Sequence, residues 1–221
     1  MRLNQFVAQA TGLSRRAADK AIAEGRVQLN KAPARLGMQI QPTDIVQLDG
    51  EVLKQPDRTF TIMLNKPSGY VCSRQGQGSK TIYELLPRKY HILKPVGRLD
   101  KDSSGLLLLT NNGQLAHELT HPKNAKTKVY EVTLNKPLHK DAQQAVTAGV
   151  KLQDGLSKLS LRPLGQNGLQ WQVSMTEGRN RQIRRTFAAL GYSIIKLHRT
   201  QFGPYKIGNL LEANWQLMND G

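Results

Sequence analysis

The sequence predicts an α+β protein, with a small N-terminal α/β unit ahead of a larger unit built on a mixed, largely antiparallel central sheet. Three observations carry that prediction. Two helix-period stretches and two short alternating runs fill the first half-hundred residues. From Thr59 onward, strand patterns and short helical patterns are interspersed. Residues 106–109 form an unbroken leucine tetrad bounded by turn residues, the pattern of a strand buried on both faces.

In order along the chain, Leu3, Phe6, Val7 and Ala10 recur at helical spacing, and Gly12 closes that helix. Ser14 caps a second helix whose apolar stripe is Ala17, Ala18, Ala21 and Ile22 and whose exposed side carries Arg15, Arg16 and Lys20. Residues 27–29 and 45–48 alternate as strands. Residues 1–55 make a core small enough to be marginal alone, and its use is to present the second helix. Gly50, Pro56 and Asp57 mark a linker over residues 50–59.

A second domain then runs over residues 59–221. Strands are expected at 60–65, 106–109, 128–134 and 193–199, and a hairpin pair at 159–163 and 169–175. Short helices are expected at 81–86 and 115–120, and a strongly basic helix at 181–190 is closed by Gly191.

Charge narrows the partner. The 221 residues hold 32 Lys and Arg against 16 Asp and Glu, a net charge of +16, with a pI near 10.2. Such a surplus attracts polyanions, and nucleic acid is the expected partner. No apolar stretch approaches the roughly 20 residues that span a bilayer. Without a signal or lipidation motif, the expectation is a soluble cytoplasmic protein with no membrane partner.

Cys72 is the only cysteine, so no intrachain disulfide forms, and it reads as a small core residue. His91, His117, His121, His139 and His198 lack ligand spacing, so no metal is expected. The run Gly76 to Lys80 lacks phosphate-loop spacing, and no dinucleotide fingerprint or Gly-rich cofactor loop occurs. No cofactor is expected.

The chemistry concentrates at Gly97-Arg98-Leu99-Asp100 ahead of Gly105 and the leucines. On spacing alone, Asp100 is either a turn-closing residue or a carboxylate fixed against a rigid strand. Three other segments end or open elements in the same way: Lys66-Pro67-Ser68-Gly69, Lys128-Val129-Tyr130, and Glu177 to Arg185 with five arginine or glutamine side chains that reach phosphates or bases.

Two resemblances follow from these residues. Residues 13–20 and 24–30 resemble the S4 RNA-binding domain, which implies phosphate contacts from Arg15, Arg16, Lys20 and Arg26. That family has Gly after the hairpin Asn, where this chain has Lys31. Residues 59–204 resemble the pseudouridine synthases of the ribosomal small-subunit type, in the segments Asn65 to Tyr70, Thr81 to Pro87, Gly97 to Asp100 with Gly105 to Thr110, and Glu177 to Arg185. Ser103 stands where that family commonly has Thr.

The resemblance implies the pseudouridine synthase fold and the isomerisation of uridine to pseudouridine in ribosomal RNA or a pre-ribosomal particle, by a monomer. It makes Asp100 the catalytic residue, as nucleophile or as proton acceptor from the sugar. Tyr130 becomes the stacking surface for a flipped base, Ile183 the apolar pocket wall, and Arg184 the partner that keeps Asp100 charged. Arg98 would fill the gap or hold the flipped nucleotide's phosphate, and Arg179, Arg181 and Arg185 would contact RNA. Lys66 and Tyr70 read as structural. The wording of residues 180–185 and 196–200 leans toward 23S over 16S rRNA. The competing reading is a non-catalytic S4-type RNA-binding or ribosome-associated protein.

Overall fold

A computed structural model describes residues 1–54 and 58–218, in two compact units, 1–60 and 61–221. The centre of the expected linker, Gln55 to Asp57, lies outside the described residues.

In the first unit, α1 (Leu3–Thr11) ends at Gly12, which takes the left-handed conformation at φ 76°. Ser14 caps α2 (Arg15–Ala23) by accepting the Ala17 amide. The helices bury Leu3, Val7, Ala18, Ala21 and Ile22 with Val27 and Val46. Strands β1 (Val27–Leu29), β2 (Ala32–Pro33), β3 (Val46–Leu48) and β4 (Glu51–Val52) pair antiparallel in the order β2-β1-β3-β4. The β1–β2 turn keeps its two-residue form without glycine: Asn30 and Lys31 both take positive φ, 51° and 68°. Asn30 pays for this by bonding the Ile45 amide and Asp44 through its side chain.

The second unit is a nine-stranded sheet. Its strands are β5 (Thr61–Lys66), β6 (Lys94–Val96), β7 (Ser104–Thr110), β8 (Lys128–Leu134), β11 (Ser160–Pro163), β12 (Gln170–Met175), β13 (Ile194–Phe202), β14 (Tyr205–Lys206) and β15 (Trp215–Met218). A separate hairpin is formed by β9 (Val150–Leu152) and β10 (Gly155–Ser157). Helices α3 (Gly113–Thr120), α4 (Lys140–Ala148) and α5 (Gln182–Ala188) pack around the strands. The main order is β11-β12-β8-β13-β7-β5-β15, with β14 on β13 and β6 on β7. Every pair is antiparallel except β7 with β13.

Strand β7 is buried at all seven positions, and each leucine withdrawn from water contributes about 1.5–3 kcal/mol. Gly105 in it is obligatory, because a Cβ there would lie 2.3 Å from the Arg199 carbonyl oxygen of the neighbouring strand.

Several sequence expectations are corrected. Residues 81–86 form a 3₁₀ turn, Ile82–Leu85, rather than an α-helix, closed by a Thr81–Glu84 capping box. The basic helix is shorter than 181–190, because Arg181 takes φ 47° and stays outside it. The last core strand extends to Phe202 but exposes Ile195 and Lys196. α4, the β9–β10 hairpin and β15 were not expected at all.

Candidate active site

The loop before β7 carries Asp100, and its shape is set from below by Lys66. That lysine ends β5 fully buried, and its Nζ donates to the carbonyls of Pro67, Asp100 and Ser103 at 3.0, 3.1 and 2.6 Å. Burial lowers its pKa, opposed by the fields of Cys72 and Asp100. Cys72 clamps the same loop one residue earlier: its Sγ lies 3.3 Å from the Leu99 carbonyl and 3.4 Å from the Leu99 amide. Lys66 was expected to be structural, and its structural task is to hold the backbone on both sides of Asp100. Tyr70 is half-buried, with Lys80 over its ring.

Above the loop opens a cleft of about 610 Å³. Arg98, Asp100, Tyr130, Ile183, Arg184, Arg179 and Arg181 all border it, so three segments separated along the chain do meet. Tyr130 and Ile183 are almost buried at 8% and 4% exposure, Asp100 is half-buried and Arg98 is exposed. Ser103 also borders the cleft with its hydroxyl buried and unpartnered.

The charge pairing differs from the expected Arg184–Asp100 pair. Arg184 donates from Nη2 to the Asp102 carbonyl at 2.8 Å and from Nη1 to the Ile194 carbonyl at 3.0 Å, and its Nε lies 3.3 Å from the Asp102 carboxylate. Arg181 grips both Asp102 oxygens at 3.0 and 2.9 Å and is 3.7 Å from Asp100. The reason is local. The turn closed by the Ser103 amide on the Asp100 carbonyl carries Asp102 outward to meet the arginines at the start of α5. The Arg181 hydrogen bonds hold the Asp102 carboxyl below the usual carboxylate range, against a smaller effect of burial. Asp102 is the site residue that sequence reasoning missed; its two-residue spacing from Asp100 was the available signal.

Arg179 and Arg185 are also less free than expected. Both bind Asp154, Arg179 at 3.0 Å and Arg185 through two bonds of 3.0 and 2.7 Å, and Arg179 donates further to the Leu156 carbonyl. They tie α5 and the segment before it to the β9–β10 turn. Gln182 bonds the Glu177 carboxylate and the Ser157 hydroxyl. In the first unit, Arg15, Arg16 and Lys20 are exposed on α2, whereas Arg26 pairs with Asp49 and lies near Glu24. Among the described residues, no His, Cys, Asp and Glu cluster suited to a metal is found.

The second unit thus sets a half-buried loop carboxylate, a near-buried tyrosine and an arginine rim around one cleft. Comparison with known proteins gives the class. A family model described as RNA pseudouridylate synthase matches residues 60–189, and an S4 domain model matches residues 1–46. The chain belongs to the RNA pseudouridylate synthase family.

It is 37% identical to an uncharacterized RNA pseudouridine synthase of Aquifex aeolicus, over 100% of this chain and 91% of the relative. Identity is also 37% to ribosomal small subunit pseudouridine synthase A of Pasteurella multocida, over 96% and 92%. It is 31% to the dual-specificity RNA pseudouridine synthase RluF of Escherichia coli, over 100% and 76%. A solved pseudouridylate synthase superposes with a TM-score of 0.71 at 33% identity, covering 99% and 96% of the two chains. The chain is therefore an enzyme that isomerises uridine to pseudouridine in RNA. The purely RNA-binding alternative falls.

Proposed function

We propose that the substrate is a uridine of ribosomal RNA, flipped into the cleft, and that Asp100 is the essential catalytic residue. The observation that carries this reading is the meeting of Asp100, Tyr130, Ile183 and the arginines in one cleft. In the reaction the bond from ribose to base nitrogen breaks and a ribose-to-carbon bond forms. The proton on that carbon is lost and the freed nitrogen takes one up, so composition and charge are unchanged. No cofactor is called for.

The carboxylate acts at the ribose–base junction, which a base must leave its stack to expose, and Tyr130 supplies a replacement surface worth about 1–3 kcal/mol. Arg98, exposed at the rim, holds the flipped nucleotide's phosphate. Arg184 keeps the positive field beside Asp100 while fixed on Asp102, and Arg181 is the arginine nearest the carboxylate. On α2, Arg15, Arg16 and Lys20 position structured RNA through phosphates.

Ribosomal RNA is supported by relatives named for the ribosomal small subunit. The wording of residues 180–185 and 196–200 favours 23S over 16S rRNA, acted on in the cytoplasm by a monomer. Asp100→Asn is expected to retain RNA binding and abolish pseudouridine, read by chemical mapping of both rRNAs with and without the protein. Pseudouridine formed by that variant would remove Asp100 from the mechanism, and a new site in 16S alone would overturn the 23S preference.

A further inference from the structure

The floor of the cleft contains two cations that the reaction described above does not use. On β8, Lys128 and Tyr130 point to one face; across from them on β13 stand Phe202 and Arg199, in the register Lys128↔Phe202 and Tyr130↔Arg199. A bulge between Arg199 and Gln201 lets Arg199 and Phe202 face the same side although three residues apart. All four border the cleft. Phe202 is the platform between the charges: the Arg199 guanidinium lies 5.0 Å and the Lys128 ammonium 5.4 Å from its ring centre.

Arg199 is 2% exposed, donates from Nε to the Leu106 carbonyl at 2.8 Å, and has a buried Nη2 with no partner. Lys128 is half-buried and its ammonium lies 3.3–3.4 Å from the carbonyls of Lys126, Thr176 and Glu177. Among the described residues, no carboxylate is within ion-pair distance of either. The nearby Glu177 carboxylate is engaged by Arg179 and Gln182.

Burying one unpaired charge costs several kcal/mol, and burying two of the same sign beside each other costs more. A fold that keeps both, with a donor unfilled, is arranged for an anion that arrives from outside. We infer that Lys128 and Arg199 form an anion subsite beside Tyr130, which takes a phosphodiester of the RNA strand next to the flipped nucleotide. This rests on the reading that the cleft receives that nucleotide. Lys128, the more accessible of the two, makes the contact, and the Arg199 field behind it sets the sign.

The test uses the full chain with Lys128→Met and Lys128→Arg, since Arg199 variants endanger the sheet. Inorganic phosphate, titrated against chloride at constant ionic strength, is expected to raise the unfolding temperature of the wild type and of Lys128→Arg but not of Lys128→Met. For ribosomal RNA, Lys128→Met is expected to weaken binding about tenfold near 0.1 M salt. It should also lower the slope of log affinity against log salt by about one, with Lys128→Arg restoring it. Equal phosphate response in wild type and Lys128→Met overturns the subsite. So does an unchanged salt slope with a slower rate at saturating RNA, which would put the ammonium on the neutral base instead. If the wild type makes no pseudouridine, the substrate reading fails, while the phosphate arm still decides the subsite.

Discussion

Asp100 and Asp102 are two residues apart and have opposite surroundings. Asp102 takes two arginines and a lowered pKa; among the described residues Asp100 has an ion pair with Arg181 alone, at 3.7 Å, and opens to the cleft. The pairing separates a carboxylate held by arginines from the one left facing the cleft. A carboxyl whose folded pKa is lowered adds stability above its ordinary value of 3.8 and loses it as pH falls through the lowered one. Asp102→Asn is therefore expected to lower stability by about 0.5–1 kcal/mol at pH 7, a modest figure for so exposed a pair. In urea unfolding across pH, that gap should close toward pH 3. A constant gap would mean that Asp102 stabilises by shape alone. Asp100 was legible because its motif is contiguous. The Arg184 partner was misassigned because the turn from Asp100 to Ser103 sets Asp102, two residues on, against that guanidinium.

At the scale of elements, the strands that a simple alternation or an apolar run announces, β7 and β8, are where the sequence put them. The elements it hid are those whose partner is distant. α4 buries only Val146 fully, and the β9–β10 hairpin shows a buried residue only at Val150 and Ser157. The parallel join of β7 and β13 was also invisible, although Gly105 carried its signal. A glycine at φ 105° whose missing Cβ would strike backbone at 2.3 Å marks close strand approach. Gly105→Ala is expected to cost more than about 3 kcal/mol, since backbone and not a flexible side chain must move. The check is the chemical denaturation midpoint, and a loss under about 1 kcal/mol would show that β7 and β13 can part without harm.

For the whole molecule, part of the positive charge is tied up in ion pairs rather than left for a partner. Arg179, Arg181, Arg184 and Arg185 are held by Asp102 and Asp154, whereas Arg15 and Arg16 are exposed on α2. Charge count alone could not sort paired arginines from external contacts, which is why Arg179, Arg181 and Arg185 all read as RNA contacts. Arg15→Ala with Arg16→Ala is expected to weaken rRNA binding and reduce its salt slope by about one to two, leaving the rate at saturating RNA near wild type. An unaltered slope would take α2 out of the RNA surface.

One last feature of the sheet bears on handling the protein. β15, near residue 218, pairs along β5, whose six residues are all buried. Take β15 away and β5, with Ile62, Met63 and Leu64 at its centre, is left with a bare row of amides and carbonyls, the kind of edge on which chains stack into fibres. A chain stopped after Leu210 is accordingly expected to lose solubility before it loses its Asp100 loop, visible as light scattering at concentrations where the full chain stays clear. The strand that closes the sheet is thereby expected to guard against self-association, a task separate from that of the cleft two strands away.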